Sequence, residues 1–70
     1  MYDRSLSHEG HTRRFQIKPL ALQGWEVREE EDSRTVSARV YDDWHRVERA
    51  RSAFQVAIIT LEREGWVSNA

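Results

Sequence analysis

The side chains in this sequence with the reach for metal or acid–base chemistry gather in two places. His8, Glu9 and His11 stand together in SHEGHT, and His45 follows Asp42 and Asp43 in YDDWHR. An H-x-x-H spacing can bring two imidazoles to one ion, but a structural metal site requires about four ligands held by a supporting shell of hydrogen bonds. His8 and His11 lie in a stretch with neither a helical nor a strand period, so they read as solvated residues of a tail. A carboxylate beside His45 could poise a general base. No nucleophile, oxyanion donor or glycine-rich loop accompanies it, and aspartates before a helix are usually caps. No catalytic residue, metal ligand or cofactor is therefore assigned, and no small-molecule site is evident. The chain also has no cysteine, which removes thiol catalysis, disulfides and cysteine zinc sites.

The remaining candidates are surfaces, and the elements that carry them follow from hydrophobic period. Residues 1–12 are expected to be a disordered N-terminal tail, followed by one small domain over 13–70. In RRFQIK, Phe15 and Ile17 alternate with Arg14, Gln16 and Lys18, the pattern of a half-buried strand that Pro19 ends. Leu20 to Gly24 form a connection apolar enough to fold over one end of the core. Trp25 and Val27 then alternate with Glu26, Arg28 and Glu30. After the polar tip Glu31–Arg34, the alternation in Thr35–Tyr41 predicts Val36, Ala38 and Val40 inward and Thr35, Ser37, Arg39 and Tyr41 outward. Short connections favour antiparallel pairing, because a parallel pair needs a long crossover.

From Asp42 to Glu64 the period changes to that of a helix. At about 100° per residue, Trp44, Val47, Ala50, Phe54, Ala57, Ile58 and Leu61 fall on one arc. Asp42 or Asp43 suits the N-cap, and Gly65 suits the left-handed position after the last turn. The predicted fold is α+β: a three-stranded antiparallel β-meander packed against one long C-terminal α-helix, in the order β-β-β-α.

Two surfaces follow from this arrangement. Arg14, Lys18, Arg28, Arg39 and Tyr41 would share the outer face of the sheet, where basic residues and an aromatic suit a single strand of nucleic acid. Glu26 and Glu30 interrupt that face, and cross-strand ion pairing accounts for alternating charges without a ligand. On the helix, Ala53, Val56 and Ile59 fall outside the main apolar arc. At 70 residues without a disulfide, a core of this size gains from a second subunit. A non-catalytic interaction module that forms a homodimer through Ala53, Val56, Ile59 and a sheet edge is the first function predicted; single-stranded nucleic-acid binding is the alternative.

The formal net charge is -1, with 33% of residues charged, so no strong overall field draws in polyanions. No apolar run reaches the roughly 20 residues that cross a bilayer, and no secretory signal opens the chain. No membrane partner is predicted, and a cytoplasmic location is the default.

The segments GWEVREEED and YDDWHRVERARSAF resemble a family of short bacterial proteins that share a GWEVRE stretch followed by a DWHRVERA helix start. That resemblance spans roughly residues 12–66. It implies a bacterial origin and a single small domain, with no established activity to carry over. More distantly, a meander followed by one long helix is similar to the sheet-and-helix units of the PC4 and Whirly single-stranded-DNA-binding folds. The likeness lies in element order alone, and those units use four strands.

Overall fold

The structure, a computed structural model, describes residues 2–69. It is α+β, with strands β1 (Tyr2–His8), β2 (His11–Pro19), β3 (Trp25–Glu31) and β4 (Arg34–Tyr41), helix α1 (Trp44–Arg63) and a short β5 (Val67–Ser68). The sheet order is β4-β3-β2-β1-β5, and every neighbouring pair is antiparallel. The meander therefore has four strands where three were expected, and a fifth short strand follows the helix.

The additional strand comes from the expected tail. Its register sets Tyr2, Arg4, Leu6 and His8 opposite Ile17, Phe15, Arg13 and His11, and Leu6 is fully buried. Leu6, Phe15, Ile58 and Leu61 form one core cluster, while Ile17, Val27 and Val47 form the other. Tyr2 and Phe54 pack against both. The two tight hairpin turns rest on paired positive φ values, at Glu9 (51°) with Gly10 (82°) and at Asp32 (51°) with Ser33 (67°). That conformation matches the right-handed twist of the strands it joins.

The helix keeps the predicted extent within a residue or two at each end. The Asp43 side chain accepts the His45 backbone N–H at 2.9 Å, which supplies one of the orphan donors of the first turn. At the other end Trp66 N–H donates to Leu61 O and Gly65 N–H to Glu62 O, with Gly65 at φ 105°. These two bonds close a Schellman motif. They also fold Trp66 back onto the Leu6 cluster.

Two further expectations are corrected. Leu22 is 99% exposed, so the loop Leu20–Gly24 does not close over the core with that side chain. Its ends are instead tied by the Leu20 N–H to Gly24 O bond. From Ser37 to Tyr41 the phase of β4 is also opposite to the one predicted, while Thr35, opposite Glu30, faces outward as expected. Trp25, Val27 and Glu29 stand opposite Tyr41, Arg39 and Ser37, and directly paired residues share a face. Val27 is buried beneath Val47 of the helix, so Arg39 and Tyr41 stand on the helix side. Ala38 and Val40 stand on the other side, and Val40 is 63% exposed. A bulge between Glu29 and Glu30 leaves Val36 without a cross-strand partner. This valine too is exposed.

Candidate nucleic-acid interface

The five residues predicted to form one basic face are divided between two. Arg14, Lys18 and Arg28 stand on the outer face of the sheet, and each meets a carboxylate. Arg14 forks onto Asp3, with Nε to Oδ1 at 2.9 Å and Nη2 to Oδ2 at 2.6 Å. Lys18 Nζ lies 3.5 Å from Glu26, and Arg28 Nε lies 3.6 Å from Glu30. The hydrogen bond from Arg14, with its charge, holds the Asp3 carboxyl below the usual carboxylate range, and the same contact raises Arg14. This face is a ladder of neutralised charge, with Arg14 and Lys18 matched across strands and Arg28 matched along its own strand.

Arg39 and Tyr41 have a different setting. They line a groove of about 460 Å³ between β4 and the flank of α1, together with Arg46, Arg49, Ala50 and Ala53. Each element contributes for a local reason. Strand alternation brings Arg39 and Tyr41 to the helix side, and Tyr41 packs its ring against the Ile17, Val27 and Val47 cluster. On the helix, positions three apart are surface neighbours, so Arg46 and Arg49 project beside one another while Ala50 and Ala53 leave room between helix and strand. No carboxylate lines this groove, and Arg39, Arg46 and Arg49 form no ion pair among the described residues. Arg46 also stands in the first turn of the helix, where the backbone dipole disfavours a cation.

Arg46 and Arg49 were not among the sequence candidates. A usable signal was present: two arginines three residues apart, followed by alanines at 50 and 53, mark a helix flank that is basic but too small to fill its neighbourhood. Without the phase of β4, nothing placed Arg39 opposite it.

The other candidates separate. His8 and His11 face each other across the first hairpin, but their rings have different partners. His8 lies 5.6 Å from the Trp66 ring. His11 Nδ1 lies 3.1 Å from Asp32 Oδ2. Asp32 also accepts the Thr12 backbone N–H, and these bonds, Thr12 first, lower its pKa. No group of three or more His, Asp or Glu side chains among the described residues is arranged to hold a metal ion. His45 is exposed, and its backbone N–H rather than its ring meets Asp43. Ala53 is a wall of the arginine groove. Val56 and Ile59 lie elsewhere on the helix, 65% and 50% exposed. No helix among the described residues is long and apolar enough to cross a membrane.

Comparison with known protein families, with curated proteins and with solved structures gives no match.

Proposed function

We propose that this protein is a non-catalytic binding module for single-stranded nucleic acid, and that the strand lies in the groove between β4 and α1. The observation that carries this reading is the contrast between two sets of cations. Arg14, Lys18 and Arg28 are each within 4 Å of a carboxylate, whereas Arg39, Arg46 and Arg49 share one groove with no carboxylate among the described residues that line it. Three guanidinium groups placed together, one of them against a helix dipole, raise the energy of the free protein until an anion enters. Guanidinium forks match phosphate oxygens in geometry as well as charge. Half-buried Tyr41 at the groove wall supplies an aromatic surface on which an unpaired base can stack.

Fluorescence anisotropy of a labelled oligothymidylate tests the reading. Binding is expected at low salt, and Arg39→Gln, Arg46→Gln and Arg49→Gln should each weaken it and lower the salt slope by about 0.7. Arg14→Gln and Arg28→Gln should leave it nearly unchanged. No binding at low salt, or equal losses from both sets, would overturn the proposal.

A further inference from the structure

We infer that β4 has a second register, one residue from the one observed, and that the arginine groove exists only in the observed one. The inference is a regulation of the site proposed above and rests on the nucleic-acid reading only for what selects between the two registers. The hairpin turn sets Glu31 opposite Arg34 and Glu30 opposite Thr35, and the ladder then skips Val36 so that Glu29 meets Ser37. Continued without that skip, the turn's own register sets Glu29 opposite Val36, Arg28 opposite Ser37, Val27 opposite Ala38, Glu26 opposite Arg39 and Trp25 opposite Val40. A shift of one residue turns every side chain beyond the bulge to the other face.

Register is held firmly where one face of a strand is buried, and β4 is not held in that way. It lies at the sheet edge, and none of its residues is buried; Ser37 and Tyr41 are half-buried and the rest exposed. The continuous register would bring Val36, Ala38 and Val40 to the helix side, whereas both valines are exposed in the observed one. Glu26 Oε1 is buried and accepts no hydrogen bond among the described residues, although Lys18 Nζ stands 3.5 Å away. Arg39 would arrive opposite Glu26 and donate to it, as an opposite-charge cross-strand pair. What the observed register keeps instead is the Tyr41 ring against the Ile17, Val27 and Val47 cluster.

The two registers differ at the groove. In the continuous one Ala38 takes the place of Arg39 and Val40 that of Tyr41. The helix keeps Arg46 and Arg49 but loses the facing cation and the aromatic wall. A polyanion in the groove therefore binds one register more tightly, and that difference in affinity is what shifts the population between them. The bulge is the latch, since forming it aims Arg39 and Tyr41 at the helix and straightening it turns them away.

The chain has no cysteine, so engineered pairs report the register, and oxidation of the full chain with and without oligothymidylate tests the inference. R28C/A38C joins positions that are opposite in the observed register. R28C/S37C joins positions that are opposite only in the continuous one, because Ser37 otherwise stands on the helix side. Neither pair removes a groove arginine or Tyr41. Both should oxidise in the free protein, and oligothymidylate bound beforehand should slow R28C/S37C several-fold while leaving R28C/A38C unchanged. Oxidised R28C/S37C should bind oligothymidylate about tenfold more weakly than its reduced form, and oxidised R28C/A38C as well as its own, with circular dichroism confirming that both variants are folded. An R28C/S37C pair that stays reduced where R28C/A38C oxidises overturns the second register; if that protein still binds oligothymidylate, the groove reading stands without it. Equal binding by oxidised and reduced R28C/S37C overturns the dependence of the groove on register. Oxidation of both pairs in a protein that binds no oligothymidylate upholds the two registers and removes the nucleic-acid reading.

Discussion

Tyr41 is held at the groove wall from behind by a residue that has no side chain. A Cβ on Gly24 would stand 2.6 Å from the Tyr41 carbonyl oxygen, and Gly24 has φ +88°. Close approach and left-handed backbone both require glycine here. Gly24→Ala should therefore destabilise the fold by about 1–3 kcal/mol, read from the urea midpoint, and should weaken oligothymidylate binding although it touches no arginine. A second residue-scale prediction concerns acid. Asp3 and Asp32 titrate below their ordinary value in the folded protein, so each adds stability that is fully present above the unfolded pKa of about 3.9 and is lost as pH falls through the lower folded one. The urea midpoints of Asp3→Asn and Asp32→Asn should lie below that of the parent at neutral pH. The gaps should close below about pH 4. Gaps independent of pH across that range would show that these carboxylates act through something other than charge.

At the scale of elements, β1 shows why a strand can be central and yet hard to read. In Tyr2–His8 the side toward the helix presents Tyr2, Arg4, Leu6 and His8, so one strongly apolar residue carries the burial and the alternation is faint. Its neighbours complete the face through pairing and through ring contacts, Tyr2 with Phe54 at 6.1 Å and His8 with Trp66 at 5.6 Å. Leu6→Ala should cost about 2–5 kcal/mol, a loss that residue 6 of a solvated tail could not produce; urea denaturation measures it. The helix was legible because its arc is wide and both ends carry explicit stop signals, Asp43 and Gly65. β4 was legible as a strand but not in phase. Valine favours strands through its branched Cβ whether or not it is buried, so alternation alone assigns Val36 and Val40 to the core. Here the helix covers the β4 face at Tyr41 and leaves Arg39 facing a groove, so inward position and burial part company. The division of the arginines followed from that phase, and so lay beyond a reading by alternation alone.

At the scale of the whole molecule, a formal charge of -1 conceals a segregation. The outer face of the sheet pairs its cations with Asp3, Glu26 and Glu30, while the groove on the helix side keeps three arginines with no carboxylate among the described residues that line it. Salt acts on these two surfaces with very different force. Exposed pairs each contribute about 0–1 kcal/mol and are partly screened already. Raising salt from low to moderate concentration should accordingly move the thermal midpoint by no more than a few degrees. Phosphate binding instead releases condensed counterions, and three arginines on a single strand give a log–log slope of about −2. A fourfold rise in salt should then weaken oligothymidylate binding roughly fifteenfold. Anisotropy titrations at several salt concentrations, set beside calorimetric scans in the same buffers, separate the two responses. A binding slope near zero with an unchanged melting midpoint would mean that the groove does not hold phosphates.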